Sequence, residues 1–475
     1  MSIRLVEQVV IVGLARQGMA LARFFCTLGV RVVVTDLRPA DQLQEELAAL
    51  SGLPIAYVLG GHPFTLLDGC DLLCLSGGVP PETPLPREAQ RRGIPLSNDS
   101  LLTLQLARAA VIGVTGSSGK TTTTTLVGEM LRATPFRTWV GGNIGTPLID
   151  RVDEVQPEDK LLLELSSFQL QLFDQSPQVS AVLNITPNHL DRHLSMAHYT
   201  AAKANILRWQ GRDDVAVLGV DDAVTGRWWR SGRVEIEAGK GQESVDSPIR
   251  AQRVGFSLKI EPDPGAFLRR TSLVWHNGVG EQEVCRLDQV RLLGLHNVAN
   301  VLAACAIAGT AGAPMEAMRE VATTFTGIAH RLELVREHQG VGWYNDSIAT
   351  SPERLVAALR AFEAPIVLLA GGRDKHLPWD EAVDLMLEKA RCVMLFGEAA
   401  DLIAGQIEAR QTCAGGRLGA PRVDRCKSLE HAVEAAARIV QPGDVVLLSP
   451  GGTSFDVYRD FEERGEHFRQ LVEAL

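Results

Sequence analysis

A stretch rich in glycine and threonine, residues 111–125, has the composition of a phosphate-binding loop. A short apolar run breaks into glycines, and Lys120 and five threonines follow at once. Glycines let backbone N–H groups approach phosphate oxygens, and the N-terminus of the helix that follows favours the same anion. Lys120 would reach the outer phosphates of a nucleotide, and the Thr121 hydroxyl would bind Mg²⁺. The sequence therefore predicts a site for a nucleotide phosphate.

The spacing of this loop differs from the general pattern GxxxxGK[ST], because Val114 stands five residues before Gly119. The alternative is an ordinary helix start that happens to be rich in glycine and serine. A lysine buried there without a partner would cost several kcal/mol. Phosphate binding is the better interpretation.

Other polar residues in apolar surroundings could complete a site for metal and phosphate. Glu164 lies in an apolar predicted strand, where a carboxylate is rarely buried unless it is paired or bound to a metal. His189 and His193 are four residues apart, but Leu190 replaces the glutamate of HExxH and no third zinc ligand follows at finger spacing. A single histidine, or Asp191, near a magnesium-bound phosphate is the better interpretation. Lys203, taken alone, is typical of an exposed helix position.

A second glycine turn, residues 13–18, follows the first predicted strand, and Asp36 ends the second predicted strand. This arrangement is a βαβ opening with a turn at the carboxyl end of its first strand. The dinucleotide fingerprint would need a middle glycine where Ala15 stands. A dinucleotide, another nucleotide or phosphate ligand, and a purely structural turn all remain open from these residues.

The order of the predicted strands and helices along the chain indicates an α/β protein. A chain of 475 residues has room for about three domains. Buried strand patterns alternate with helical patterns, except between residues 221 and 293, where short alternating runs predict antiparallel strands. The prolines from 80 to 86 predict a loop. We expect a Rossmann-like domain (1–97), a central P-loop ATPase-like domain with a mixed sheet and a small antiparallel insertion (98–326), and a C-terminal Rossmann-like domain (327–475).

Bulk properties exclude several classes of protein. The net charge is −10 and no run of five basic residues occurs, which argues against a nucleic-acid partner. No apolar stretch approaches the roughly 20 residues of a membrane span, and the N-terminus lacks the pattern of a cleaved signal peptide. The eight cysteines form no CxxC pair. We expect reduced cysteines, a cytoplasmic location and a monomer.

Several segments taken together resemble the Mur ligase family: TGSSGKTT, GGNIG, LELSSFQL, NITPNHLDRH, GLHNVANVLAA, HRLE and NDSIATSPE. Their order and spacing cover the whole chain. The N-terminal domain, NDSIAT and GGRDK are most similar to the members that add D-glutamate to UDP-N-acetylmuramoyl-L-alanine in peptidoglycan precursor synthesis. The resemblance implies an ATP-dependent amide ligase that works through an acyl phosphate. It also implies that the turn at residues 13–18 binds the UDP part of a substrate.

The resemblance implies roles for individual residues. Those that match its catalytic positions are Lys120, Glu164, His189 and Lys203. Magnesium positions, expected to hold two ions, are Thr121, Glu164, His189 and Lys203, the lysine being carbamylated in the family. ATP positions are Gly116, Ser117, Ser118, Gly119, Lys120, Thr121, Thr122, Asn297, Asn300, Arg331 and Asp346. Positions for the UDP substrate are Gly13, Leu14, Ala15, Arg16, Asp36, Leu37, Ser76, Gly78, Asn143 and Ser166. Positions for the incoming amino acid are Thr350, Lys375, Ser454, Phe455 and Phe461.

Two departures from the family concern the substrate pockets. Ile348 stands where NDSKAT has a lysine, and Ser76, Gly77 and Gly78 replace a Ser-Pro-Gly segment. Addition of L-glutamate instead of D-glutamate therefore remains an alternative. An NAD-dependent oxidoreductase would leave the phosphate loop unexplained. A non-enzymatic nucleotide-binding regulator would leave Glu164 and Lys203 without a common purpose.

Overall fold

The structure is a computed structural model that describes residues 5–187, 193–292, 294–375, 377–413 and 421–475. Contacts divide the chain into two compact units. The first comprises Met1–Arg291 and Leu295–Phe325, and the second comprises Leu292–Gly294 and Thr326–Leu475. Among the described residues, the first unit holds a five-stranded sheet, a nine-stranded sheet and a separate two-stranded pair, and the second unit holds a six-stranded sheet.

The first sheet is a five-stranded parallel sheet in the order β3-β2-β1-β4-β5. Its strands are β1 (Gln8–Val12), β2 (Arg31–Asp36), β3 (Ile55–Leu59), β4 (Leu72–Leu75) and β5 (Leu96–Ser97). The helices of this region are α1 (Arg16–Thr27), α2 (Gln44–Ala49) and α3 (Pro84–Arg91). The valine-rich runs are buried on both faces, as in parallel sheets covered by helices. The strand order reverses between β1 and β4, where open α/β sheets bind ligands.

The prediction of a loop at the prolines from 80 to 86 was wrong for its second half. Pro84 is the first residue of α3, and Leu85, Pro86 and Ala89 are buried on it. Proline is accommodated in the first turn of a helix because the N–H that it lacks would have no partner inside the helix. Pro84 and Pro86 therefore lie at the start of a helix and not in a loop.

The second sheet has nine strands in the order β16-β15-β14-β13-β10-β9-β6-β8-β7. The strands from β13 to β7 in that order pair in parallel. They are β6 (Ala110–Thr115), β7 (Thr138–Gly142), β8 (Lys160–Glu164), β9 (Val179–Val182), β10 (Val215–Gly219) and β13 (Gln252–Ser257). Since β6, β7, β8 and β9 run in one direction, the residues that follow them meet at one edge of the sheet.

The alternating runs between residues 221 and 293 form two structures. β11 (Arg233–Ile236) and β12 (Val245–Pro248) form a separate antiparallel pair. The later runs instead extend the central sheet, as β14 (Gly265–Arg269), β15 (Ser272–His276) and β16 (Glu281–Arg286). The insertion is therefore smaller than the pattern suggested, because alternation alone does not say which sheet a strand joins.

Helices α4 to α10 accompany this sheet. They are α4 (Asp99–Leu106), α5 (Lys120–Leu131), α6 (Ser167–Leu170), α7 (Met196–Ala204), α8 (Ala223–Ser231), α9 (Leu295–Thr310) and α10 (Met315–Thr324). α9 carries a run of small apolar residues that is almost wholly buried. It packs on α5, the helix that follows the phosphate loop.

The second unit contains a six-stranded sheet in the order β17-β18-β22-β19-β20-β21, parallel except for the edge strand β17. Its strands are β17 (Glu333–His338), β18 (Val341–Asn345), β19 (Ile366–Gly371), β20 (Ala390–Phe396), β21 (Arg422–Arg425) and β22 (Val445–Gly451). Its helices are α11 (Pro352–Arg360), α12 (Asp380–Lys389), α13 (Ala400–Cys413), α14 (Leu429–Ile439) and α15 (Phe461–Glu473). The predicted α/β class with three sheet-centred regions is confirmed. Within the described ranges, none of the helices combines the length and apolarity that a membrane crossing requires.

Candidate active site

The phosphate loop connects β6 to α5 and is built around Gly119. This residue caps α5 with φ +80°, a left-handed conformation that side chains other than glycine rarely adopt. A Cβ at this position would lie 2.3 Å from the Asn300 amide oxygen. Asn300 also donates a hydrogen bond to the side-chain oxygen of Asn297 (3.0 Å), so both asparagines of α9 belong to this site. Glycine is therefore required here for conformation and for space.

Neighbouring strand ends hold the loop in place. Asn184, which follows β9, accepts the Ser118 N–H on its side chain (2.9 Å) and the Ser117 N–H on its backbone carbonyl (3.0 Å). The Ser117 hydroxyl donates to the Thr186 carbonyl (3.0 Å) and accepts the Tyr199 hydroxyl (2.9 Å). Sequence analysis missed these three partners because each looks ordinary unless the fold that brings it to the loop is known.

The ammonium group of Lys120 lies on its own loop, 3.0 Å from the Gly116 carbonyl oxygen. Thr121 and Thr122 follow it in the first turn of α5, with backbone N–H groups near the positive end of the helix dipole. This arrangement can bind an anion with backbone donors and the Lys120 cation.

Lys203 is buried beneath the same loop. Its side chain, on α7, donates to the Gly116 carbonyl (2.8 Å) and the Thr115 hydroxyl (3.3 Å), and the residue is 1% exposed. Burial lowers the pKa of Lys203 well below its usual range, and the charge of Lys120 lowers it further, whereas Glu164 opposes the shift. Among described residues, no carboxylate lies within ion-pair distance of this amine. Lys203 is therefore not the exposed lysine that its sequence context favours.

Glu164 is the last residue of β8 and is 1% exposed. One carboxylate oxygen accepts the side-chain N–H of Asn143 (2.9 Å), while the other is buried and has no hydrogen-bond partner among described residues. A buried carboxylate oxygen left in this way fits a cation ligand. The described residues contain no group of three His, Cys, Asp or Glu side chains arranged for a metal. His189, the remaining predicted ligand, lies outside the described residues.

The turn after β1 is organised by Asp36. Its carboxylate accepts the Leu14 N–H (2.8 Å) and two N–H groups of the Arg38 guanidinium (3.0 and 3.1 Å). Burial alone would raise the pKa of Asp36, but these bonds outweigh it and the pKa is lowered. Arg38 also donates to the Leu14 carbonyl (2.9 Å). Sequence analysis missed Arg38, although an acidic residue at a strand end followed by arginine could have suggested it.

The turn itself depends on Gly13. Its φ is +94°, and its N–H donates to the Thr35 carbonyl (2.8 Å). Ala15 is the N-cap of α1 and makes no side-chain capping bond. Leu37 is 69% exposed, whereas Ser76 is buried at the end of the adjacent strand. Gly78 lies in the turn that follows, where an added Cβ would meet nothing within 4 Å.

One predicted substrate residue of this turn contacts the central sheet, and another caps a helix that follows that sheet. Arg16 donates from its guanidinium to the Asn143 carbonyl (3.3 Å). Ser166 caps α6 through a reciprocal pair of bonds with Gln169. The loops after β1, β7 and β8 therefore lie in one unit, and contact with a substrate stays a prediction for each residue.

In the second unit, Asp346 follows β18. Its carboxylate accepts the Ser449 hydroxyl (2.8 Å) and the Leu332 N–H (3.2 Å). Burial raises the pKa of Asp346 to about 7, against the opposing effects of these bonds and of the charges of Arg331 and Arg354. Arg331 is exposed. A carboxyl group with this pKa is poised between its two protonation states at neutral pH.

The predicted amino-acid residues lie after strands of the same sheet. The Lys375 ammonium is 3.4 Å from the Thr350 hydroxyl. Ser454 is buried after β22, Phe461 begins α15, and Phe455 is 60% exposed. The carboxyl ends of β18, β19 and β22 thus carry these residues at one edge of the sheet.

A buried arginine that sequence analysis missed connects two of these loops. Arg464 is 0% exposed and donates to the Ser347 hydroxyl (3.0 Å), the Ser347 carbonyl (2.9 Å) and the Gly452 carbonyl (3.2 Å). The Ser347 hydroxyl in turn donates to the Phe461 carbonyl (2.8 Å). Its position in a charged helix (FEERGEHF) gives no signal that this arginine points inward.

Comparison with protein families finds three domains that match successive parts of the chain. A Mur ligase MurD-like N-terminal domain matches residues 7–98. A Mur ligase middle domain matches residues 114–308, and a Mur ligase glutamate ligase domain matches residues 330–452. The matches include the phosphate loop, Lys203 and Asp346.

Individual relatives agree over the full length. The chain is 44% identical to a UDP-N-acetylmuramoylalanine–D-glutamate ligase of Symbiobacterium thermophilum, covering 100% of this chain and 99% of that protein. It is 38% identical to the enzyme of the same name from Acetivibrio thermocellus, covering 99% and 97%. The crystal structure of the UDP-N-acetylmuramate–alanine ligase MurC from Thermotoga maritima is 18% identical, with a TM-score of 0.54 over 98% of this chain and 99% of that one, and shows likeness of fold. The chain belongs to the Mur ligase family.

Proposed function

We propose that this protein is an ATP-dependent ligase that joins D-glutamate to UDP-N-acetylmuramoyl-L-alanine during peptidoglycan precursor synthesis. Full-length relatives carry the name of this activity. The observation that supports the chemistry most directly is the buried Lys203 amine on the Gly116 carbonyl of the phosphate loop. A phosphate loop with a buried lysine of lowered pKa suits phosphoryl transfer to a carboxylate.

The reaction has two steps. A carboxylate oxygen of the alanyl substrate attacks the γ-phosphorus of ATP, the bond to the bridging oxygen of ADP breaks, and an acyl phosphate forms. The amine of glutamate then attacks the acyl carbon, loses a proton, and inorganic phosphate leaves as the amide forms. Both steps concentrate negative charge, so Lys120 and the backbone N–H groups at the start of α5 would stabilise them.

Glu164, Thr121, His189 and Lys203 would hold Mg²⁺ next to the phosphates. The buried oxygen of Glu164 without a partner among described residues supports this assignment. When bound, the ions would neutralise charge on the phosphoryl group. We propose two ions, with Lys203 as a bridging ligand after carbamylation.

Carbamylation needs an unprotonated amine. An ordinary lysine of pKa about 10.4 is almost fully charged at pH 7. The lowered pKa of Lys203 supports this step, because burial favours the neutral amine that reacts with carbon dioxide. The product is a carboxylate with oxygen ligands suited to Mg²⁺.

For the substrates, we assign the loops after β1, β4, β7 and β8 to the UDP-sugar, and those after β18, β19 and β22 to glutamate. Asp36 and Arg38 would fix the turn on which the UDP part rests, and Asn297, Asn300 and Asp346 would contact the nucleotide of ATP. The described cysteines are unpaired, which supports a cytoplasmic location. We retain the monomer as a prediction.

The test is ADP release from ATP with UDP-N-acetylmuramoyl-L-alanine and, in parallel, D-glutamate, L-glutamate or no amino acid. We expect turnover that depends on D-glutamate. Turnover with L-glutamate alone would keep the chemistry and change the product. Absence of ADP in all three reactions would contradict the assignment.

A further inference from the structure

An exposed arginine lies on the loop that carries the predicted amino-acid residues. Arg354 is in the first turn of α11, and its guanidinium donates to the Ile348 carbonyl (2.8 Å). This bond turns the side chain back toward the segment that runs from Asp346 to Thr350. The arginine is therefore directed at the segment after β18 and not along its own helix.

The charge of Arg354 acts on two groups of the predicted pocket. The pKa of Lys375 is lowered first by burial and then by this arginine. The same charge opposes the effect of burial on Asp346. Lys375 is itself 3.4 Å from the Thr350 hydroxyl. Two cations and one hydroxyl thus lie close together after β18 and β19.

Arg354 has no carboxylate partner within ion-pair distance in the described part of the chain. Arg360, at the other end of the same helix, is by contrast paired with Glu381 (2.7 Å). Ile348 adds no charge. The guanidinium donors of Arg354 not used by the Ile348 carbonyl are therefore available for an external anion. Their planar arrangement suits a carboxylate.

We propose that Arg354 is a substrate-binding residue that sets the acceptor specificity of this enzyme. Arg354 and Lys375 each bind one carboxylate of the incoming amino acid, with Thr350 donating a hydrogen bond. The acceptor is therefore a dicarboxylic amino acid, because a neutral side chain would leave one of the two cations without a partner. This inference rests on the proposed ligase function. Arg354 would supply a positive charge to the loop in which Ile348 replaces the lysine of NDSKAT.

The experiment compares R354Q with R360Q, an exposed arginine of the same helix. KM and kcat are measured for D-glutamate, D-glutamine, ATP and the UDP substrate. We expect R354Q to raise KM for D-glutamate by about 10–100-fold, the worth of a charged hydrogen bond. KM for ATP and for the UDP substrate should stay within about 2-fold, and the preference for D-glutamate over D-glutamine should shrink. R360Q should change none of these values.

Two further variants sharpen the result. R354K keeps a point charge and should fall between wild type and R354Q. Adding I348K to R354Q returns a cation to the same loop and should recover part of the affinity for D-glutamate. Equal KM values for D-glutamate in R354Q and wild type would overturn the inference while leaving the ligase function intact. A wild-type enzyme that releases no ADP with any amino acid would instead overturn the function, and the inference with it.

Discussion

Among the described residues, each of the two units completely buries one basic side chain, a lysine in the first unit and an arginine in the second. Lys203 lies under the phosphate loop of the first unit, and Arg464 lies between two strand-end loops of the second. Both are at most 1% exposed, and both donate mainly to neutral oxygens. Neither has a carboxylate within ion-pair distance among described residues.

The difference comes from the chemistry of the two groups. Burial lowers the pKa of Lys203 well below its usual range, so the amine can lose its proton. Burial lowers the pKa of Arg464 only to about 10, so the guanidinium stays charged at neutral pH. An ammonium group in such a site becomes reactive, whereas a planar guanidinium keeps several fixed donors. The same desolvation therefore lowers the pKa of an amine well below its usual range in one unit and leaves a charged structural connection in the other.

The largest expected effect is loss of catalysis on changing Lys203. K203Q should lower kcat by about 10³-fold, since a group of the phosphoryl-transfer site is removed. K203R should be as inactive as K203Q, because arginine keeps the charge but cannot form the carbamate. ADP release measures both, with K259Q, an exposed lysine of the same unit, as the control. Activity of K203R close to wild type would mean that the lysine acts only as a cation.

A pair of buried carboxylates extends the comparison to pH. Burial raises the pKa of Asp346 to about 7 in the second unit and that of Asp99 to about 6 in the first. The pKa of each carboxyl group in the folded state lies above the usual value of about 3.9. At pH values between these two pKa values, the folded state therefore binds more protons than the unfolded state. The free energy of unfolding should fall as pH rises, by about 3 kcal/mol between pH 4 and 7 for Asp346 and about 2 kcal/mol between pH 4 and 6 for Asp99.

The measurement is chemical denaturation of wild type, D346N and D99N across pH 4–8. Subtracting each variant from wild type isolates one carboxyl group. Differences independent of pH would show that these carboxyl groups titrate normally.

Arg464 should matter chiefly for the second unit. R464M leaves the Ser347 and Gly452 carbonyls without their donor, which should lower the free energy of unfolding by about 3 kcal/mol. KM for glutamate should rise more than KM for ATP, since the loops after β18 and β22 carry Thr350 and Ser454. Arg438 is an exposed arginine that forms an ion pair with Glu434 on its own helix, and R438M should cost less than about 0.5 kcal/mol. Equal losses of unfolding free energy in R464M and R438M would show that the buried hydrogen bonds of Arg464 do not stabilise the second unit.

The smallest effect concerns the backbone of the phosphate loop. G119A forces a left-handed conformation on alanine and crowds Asn300, at a cost of about 1–2 kcal/mol. Because the phosphate loop presents backbone N–H donors, KM for ATP should rise about 10-fold in G119A, with little change in KM for glutamate. G280A, where an added Cβ meets nothing within 4 Å, is the control. Unchanged ATP binding in G119A would show that the loop tolerates a side chain.

Much of the fold and of the first site could be predicted from sequence, for physical reasons. Buried apolar runs that end in glycine or polar residues mark parallel strands and place Gly119 and Glu164 at one edge. The burial of Arg464 could not be predicted, because a charged helix reads as exposed. Nor could the contact of Tyr199 with the phosphate loop, since it depends on how α7 packs and not on local pattern.

The proposed reaction depends most on a neutral Lys203 amine that can take up carbon dioxide. The direct measurement is ¹³C NMR of the enzyme with ¹³C-labelled bicarbonate and Mg²⁺, comparing wild type with K203Q and K259Q. We expect a carbamate signal in wild type and K259Q that is absent from K203Q. A spectrum of wild type that is identical to that of K203Q would contradict the account.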